Sequence, residues 1–325
     1  MEQPFELRTD LQGLTTAIEA IRAEVGKVIV GQHQTIDLLL AALLADGHVL
    51  IEGVPGVAKT LTAKLLAKTV SVQFSRIQFT PDLMPADVLG TSVFSPKTAE
   101  FSFRKGPIFA NLVLIDEINR APAKTQAALF EAMEERQVTN DGTTYTLPPP
   151  FMVLATQNPI EQEGTYRLPE AQLDRFLFKI VVNYPEQAEE IDILRGHHQR
   201  RSLTDALAAI NAVLSAEQLN QMRDKVSLVH VEDNLFDYIA QVVRSTRANK
   251  SLYLGASPRA TVALLNAAKA LATLRGRDFV TPEDVQELAA PVLRHRILLT
   301  PEREMEGITT DDVIAQLIQQ VEVPR

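Results

Sequence analysis

Residues 53 to 60 read Gly53-Val54-Pro55-Gly56-Val57-Ala58-Lys59-Thr60, set between the apolar run His48-Val49-Leu50-Ile51-Glu52 and a helix-like stretch from Leu61 to Thr69. A strand that feeds a glycine-containing turn and then opens a helix aims several backbone N–H groups, and the positive end of the helix dipole, at one point. That arrangement suits the β- and γ-phosphates of a nucleotide, with Lys59 adding a point charge and Thr60 a hydroxyl ligand for Mg²⁺. The octet departs from the usual phosphate-loop pattern at Ala58, where glycine is more common. Short patterns of this kind also arise by chance, so the reading needs a second segment to support it.

Leu112-Val113-Leu114-Ile115-Asp116-Glu117 supplies it. A four-residue apolar run reads as a strand buried on both faces, and the end of a parallel strand is where an open α/β sheet places its ligands. Asp116 is then placed to hold Mg²⁺ directly or through water, and Glu117 to polarise an attacking water as general base. Alone, paired acids after a strand could equally open a helix, because carboxylates are favoured in a first turn. The phosphate loop upstream favours catalysis.

With 325 residues, 46% of them hydrophobic, the chain can bury a sizeable core and is expected to form two domains. No stretch approaches the roughly 20 apolar residues of a membrane span, and Met1-Glu2-Gln3-Pro4-Phe5-Glu6 lacks a signal peptide's layout, so a cytoplasmic location is expected. The absence of cysteine excludes disulfides and thiolate metal sites. The histidines show no ligand spacing, and His197-His198, adjacent on a predicted helix, diverge and read as surface residues. A net charge of −9 argues against a general affinity for nucleic acid and toward protein partners or small substrates.

The pattern from Phe5 to Ala45 is helical, with a second helix after Gly31-Gln32. Apolar strands at Val49 to Glu52, Ser71 to Phe79, Leu112 to Ile115, Phe151 to Ala155 and Leu177 to Val182 then alternate with helical stretches, including Met84 to Leu89 and Lys124 to Glu135. Such alternation implies an α/β fold, a parallel sheet with helices on both faces. Two insertions, Gly90 to Pro107 and Val138 to Leu147, read as hairpins, the second around Asn140-Asp141-Gly142. They are either decorative, packing their own aromatics, or contact elements. From Tyr184-Pro185-Glu186 onward helices dominate, several opened by Ser215, Ser257 or Thr281 as cap, which predicts a core over 1–185 and an all-helical second domain over 186–325.

Taken together the chain resembles the AAA+ ATPases, and among them the MoxR family. The likeness rests on Gly31-Gln32, the octet with its alanine, Leu-Ile-Asp-Glu-Ile-Asn-Arg-Ala-Pro at 114–122, Ala-Thr-Gln-Asn-Pro at 155–159, Leu-Pro-Glu-Ala-Gln-Leu-Asp-Arg-Phe at 168–176 and Gly-Ala-Ser-Pro-Arg at 255–259, in the right order over nearly the whole chain. The resemblance implies a five-stranded sheet in the order 5-1-4-3-2 with a helical lid. It also implies ATP or ADP with Mg²⁺ as cofactors, held by Gly31, Gln32, the loop from Gly53 to Leu61, and Asp116. Asn158 matches the sensor 1 residue, which orients the attacking water or touches the γ-phosphate. Arg175 matches the arginine finger inserted into a neighbour's site, with Arg167 a weaker second candidate. Arg259 matches sensor 2, acting in its own subunit or the next. A guanidinium suits such roles because it is always charged and presents a planar fork to phosphoryl oxygens.

The hairpins resemble the inserts that face the central opening of rings in one AAA+ branch, which makes Phe101, Phe103 and Tyr145 candidates for substrate contact. The resemblance further implies a hexameric ring that remodels or activates a protein client, in complex maturation or metal insertion, often beside a partner carrying a von Willebrand factor A domain. Minichromosome maintenance helicases and magnesium chelatase subunits share the branch, so a nucleic-acid motor or a chelatase-like subunit is the alternative. A finger lent by a neighbour is worth about 10³ to 10⁵ in rate in related systems, so a lone subunit is expected to hydrolyse ATP poorly.

Overall fold

The computed structural model describes residues 10–54, 56–97, 99–159, 165–199 and 203–324; Pro55 and Thr98 lie outside these. The chain opens with α1 (Gln12–Gly26) and α2 (His33–Leu44), then β1 (His48–Gly53), α3 (Lys59–Thr69), β2 (Phe74–Gln78) and α4 (Pro85–Leu89). A hairpin of β3 (Gly90–Ser95) and β4 (Glu100–Lys105) follows, then β5 (Leu112–Asp116), a 3-10 turn at Ile118–Arg120, and α5 (Ala123–Glu135). A second hairpin, β6 (Gln137–Asn140) and β7 (Thr143–Thr146), precedes β8 (Met152–Gln157), α6 (Glu170–Leu173) and β9 (Phe176–Val182).

Strands β1, β2, β5, β8 and β9 form one parallel sheet in the order β2-β5-β8-β1-β9. Counted as core strands one to five, this is the expected 5-1-4-3-2. The apolar runs of β1, β5 and β8 are buried on both faces, whereas the edge strand β2 buries only Ile77, and the two-residue period sorts the buried side chains into two cores. Val49, Ile51, Leu112, Leu114 and Leu154 face one way, while Leu50, Val113, Ile115 and Val153 face the other. The first core continues without a break into the later helices, taking in Leu264, Leu271, Val285 and Leu288. The second is closed by α5 through Leu129, Phe130 and Met133.

Both hairpins form where the turn residues predict them. Asp141 and Gly142 occupy the left-handed region, at φ 48 and 76, as a tight two-residue turn requires. The second strand begins at Phe74 rather than Ser71, since Ser71, at φ 50, turns the chain out of α3.

The later region comprises α7 (Gln187–Gln199), α8 (Leu203–Ala208), α9 (Ala216–Ser227), α10 (Asp233–Ala248), β10 (Leu252–Leu254), α11 (Pro258–Leu274), α12 (Pro282–Leu293), β11 (Leu298–Leu299), α13 (Pro301–Met305) and α14 (Thr310–Gln320). It is helical, as expected, with one addition: β10 and β11 pair antiparallel through Leu252 with Leu299 and Leu254 with Leu298. A two- to three-residue ribbon is too short to show a period, and so are α8 and α13, of six and five residues. Ser215 and Ser257 cap their helices as predicted, accepting from the Gln218 and Arg259 N–H groups. At α12 the bond runs the other way, with the Asp284 carboxylate accepting from the Thr281 N–H at 2.9 Å.

Candidate active site

The loop from Gly53 to Thr60 joins β1 to α3 at the carboxyl end of the central strands. A Cβ at Gly53 would lie 2.8 Å from the Val182 carbonyl, so the strand's last residue must be glycine for β9 to pack beside it. Gly56 sits at φ 90 with open space where a side chain would be. Ala58 takes φ 57, ψ 20, a left-handed conformation that costs an L-residue about 1 kcal/mol. The sequence's departure from glycine therefore falls where the backbone would favour glycine. Gln32, itself at φ 54, donates its Nε2 to the Val57 carbonyl at 3.2 Å and ties α2 to the loop. A Cβ at Gly31 would run into the Glu189 carboxylate of α7. Gly31 and Gln32 thus flank the loop from outside; Val54 and Val57 pack into the core behind it.

Lys59 opens α3 and donates its Nζ to the Gly53 carbonyl at 2.5 Å. Partial burial lowers its pKa, opposed by the charges of Asp116, Glu117 and Glu52. Asp116 ends β5 and is buried. Its Oδ2 accepts from Arg76 Nε at 2.6 Å and from Thr60 Oγ1 at 3.4 Å, and its Oδ1 from Thr156 Oγ1 at 3.1 Å. The Thr156 hydroxyl in turn accepts from the Glu117 N–H at 3.0 Å. Glu117 stands at φ 59, ψ 52, and its carboxylate takes Gln78 Nε2 at 2.7 Å, with Arg120 Nε 3.1 Å away. Asn158, nearly buried, borders the same space.

These groups enclose a cavity of about 360 Å³, bounded by Gly56, Lys59, Thr60, Asp116, Glu117 and Asn158. Leu61 and Ala58 also line it, so eight of the sixteen site residues picked from the sequence converge here; Pro55 lies outside the described residues. The donor chemistry fits Mg²⁺ with a nucleotide: two hard oxygens, from Thr60 and Asp116, face each other beside an ammonium group and a helix N-terminus.

Arg76, Gln78 and Thr156 were missed. The sequence put the first two in a strand and the third in the motif before Asn158. Only the pairing of Gln78 with Asp116 across β2 and β5 reveals that alternate side chains of an edge strand reach both acids.

Arg175 and Arg259 are elsewhere. Neither borders the cavity; they meet at Glu134, near the end of α5. Arg167 is well exposed, 3.7 Å from Glu170, and lines a second cavity of about 460 Å³ that also touches Asn158. Of the aromatic candidates, Phe101 is 72% exposed, whereas Phe103 and Tyr145 stack on each other at 4.4 Å. His197 and His198 are exposed on α7, as read from sequence.

Comparison with known proteins agrees with this geometry. A family profile described as "ATPase family associated with various cellular activities (AAA)" matches residues 48–178, and an AAA lid domain profile matches 244–317. The uncharacterized protein YeaC of Bacillus subtilis is 48% identical over 300 residues, 92% of each chain. Chaperone MoxR1 of Mycobacterium tuberculosis is 45% identical over 326 residues, 97% of this chain and 85% of the relative. Protein MoxR of Paracoccus denitrificans is 32% identical, over 87% of this chain and 88% of its own. A crystal structure assigned as an ATPase, from Cytophaga hutchinsonii, superposes with a TM-score of 0.88 at 42% identity, covering 96% of this chain and 97% of that one. The AAA profile and the structural neighbour support ATP hydrolysis as the general kind of reaction, and the chain belongs to the MoxR family of AAA+ ATPases.

Proposed function

We propose that this chain is a Mg²⁺-dependent ATPase that works as an oligomeric, hexameric ring and remodels protein clients. The observation that carries the reading is a separation. The phosphate loop, both acids and Asn158 share one cavity, while Arg175 and Arg259 share another patch. A site lacking its finger in one subunit is completed by the next. The joint placement of the two arginines supports a trans role for Arg259 as well as Arg175, with Arg167, beside Glu170 and away from Glu134, the weaker candidate.

In this mechanism the loop N–H groups and Lys59 bind the β- and γ-phosphates. Thr60 and Asp116 would hold Mg²⁺, which supplies charge neutralisation at the phosphate oxygens. Asn158 orients the water, and Glu117 takes its proton once Gln78 and the nearby Arg120 yield the carboxylate. The arginines from the neighbour meet the charge that builds on the transferred group. Residues 1–185 form the catalytic core and 186–325 the lid. The exposed hairpin aromatics contact the client, which the chaperone name of the Mycobacterium relative supports. A von Willebrand factor A protein fits the partner role, and the acidic charge and the absence of a membrane-spanning helix among the described residues fit action on soluble proteins in the cytoplasm.

The test mixes two inactive variants. Lys59→Ala subunits keep a finger and Arg175→Ala subunits keep a phosphate loop, so mixed assemblies contain some complete junctions. Phosphate release should recover to a fraction of the parent rate, against a loss of about 10³-fold or more for either variant alone. No recovery, with mixed assembly proven by native mass spectrometry, would sink the trans reading.

A further inference from the structure

Glu134 and Glu135 close the last turn of α5, where the negative end of the helix dipole disfavours carboxylates. Two guanidinium groups from distant parts of the chain compensate. Arg259 Nη2 donates to Glu134 Oε1 at 3.2 Å, and Arg175 Nε lies 3.7 Å from Glu134 Oε2. Arg175 also donates Nη1 to the Phe130 carbonyl, but its buried Nε has no hydrogen bond, so the ion pair leaves donor capacity unused. A cavity of about 310 Å³, bordered by Glu131, Glu134, Glu135, Gln172 and Arg175, opens beside it.

The bases of the two arginines are fixed to each other. Asp174, next to Arg175, accepts from Ser257 Oγ at 2.8 Å, and Ser257 caps the helix whose first turn carries Arg259. Asp174 also receives Arg296 Nε at 2.7 Å. Backbone positions are therefore held while both guanidinium groups share one partly exposed carboxylate, Arg259 through a hydrogen bond and Arg175 through a longer ion pair beside its bond to the Phe130 carbonyl.

We propose that Glu134 is a positioning residue for the ATPase reaction. It holds Arg175 and Arg259 together on the subunit edge while that edge is free, and yields both to the phosphates of a neighbouring subunit's nucleotide as the assembly closes. The proposal rests on the trans reading of Arg175 given above. A triphosphate carries more charge than one carboxylate and offers oxygens in the planar spacing that guanidinium groups match, so the exchange runs toward the phosphate. Partly exposed ion pairs are weak, so the holding contact breaks without a large barrier.

The experiment measures association by sedimentation velocity over a range of protein concentrations, in Mg²⁺ with a non-hydrolysable ATP analogue. It compares the parent, Glu134→Gln, Glu134→Asp, and Glu134→Gln added to an Arg175→Ala, Arg259→Ala background. The concentration of half-assembly should fall about three- to tenfold in Glu134→Gln and stay near the parent in Glu134→Asp. In the arginine-free background the same change should shift nothing. An unchanged or higher midpoint in Glu134→Gln, with thermal unfolding like the parent, overturns the proposal. So does an equal shift without the arginines, because relief of acidic repulsion alone would then account for it. If Glu134→Gln does not fold, Glu134→Ala is read by the same criteria. Failure of the mixing experiment removes the trans reading itself; recovery there with no midpoint shift here removes only the role of Glu134.

Discussion

At the scale of single residues, the site spends backbone conformation on function. Ala58 and Glu117 both occupy left-handed φ, one turning the loop into α3 and the other turning the chain out of β5, so that loop amides and carboxylates point into one cavity. His48 shows the opposite economy, a polar group serving structure alone. It is buried in β1, its Nδ1 accepting from the Val153 N–H at 3.0 Å and its Nε2 3.2 Å from the Met133 carbonyl. Burial, with Arg136 and Arg223 nearby, pushes its pKa down from 6.5 to about 3. The unfolded chain takes up a proton below pH 6.5 that the folded chain refuses, so this contribution is complete above 6.5 and is lost as pH falls toward 3. Between pH 7.5 and 5.5 the loss from His48 is about 1.4 kcal/mol. Urea unfolding at both values should show the gap shrinking by that amount in His48→Gln, even though the variant is less stable overall.

At the scale of elements, the two hairpins act as one unit. Phe103 of β4 stacks on Tyr145 of β7, Asn140 donates to Ser92 Oγ at 2.7 Å, and Ser92 donates to Asp141 at 2.5 Å. Phe94 and Phe101, opposite each other across β3 and β4 with rings 5.2 Å apart, are left facing solvent. The contact candidates are thus Phe94 and Phe101, and Phe103 and Tyr145 are the joint. Phe103→Ala should cost about 1–2 kcal/mol, seen as a lower Tm and faster amide exchange in β6 and β7. Phe101→Ala should leave Tm within about 2 °C, since it removes little buried area. Equal effects of the two substitutions would contradict this division.

At the scale of the whole molecule, the lid is joined to the core at the point where Arg175 leaves it. Arg296, buried after α12, pairs with Asp174 and donates to the carbonyls of Asp174, Phe176 and Leu177 at the start of β9. The hydrophobic core is continuous across the same seam, so the lid helices and the segment that carries Arg175 are packed as one body. Arg296→Met should destabilise the chain by about 3–5 kcal/mol, because it strands a mostly buried Asp174 and several carbonyls. Calorimetry checks the stability. Because the finger loop loses its support, the variant should also hydrolyse ATP less well at temperatures where it remains folded.

The sequence by itself determined the parts that chemistry confines to a few consecutive residues. These are the glycine-bearing turn between a strand and a helix, the acids ending a buried strand, the Asp-Gly turn and the capping serines. Each follows from the backbone needs of neighbouring positions, and the order of the motifs carried the family. Tertiary structure alone decided which side chains meet. Register across β2 and β5 brought Arg76 and Gln78 to the two acids; the bond from Ser257, at the head of α11, to Asp174 set Arg259 and Arg175 beside Glu134; hairpin stacking separated Phe103 from Phe101. Parallel strands joined by long connections leave no trace of their register in spacing, and contacts between elements depend on how whole surfaces pack.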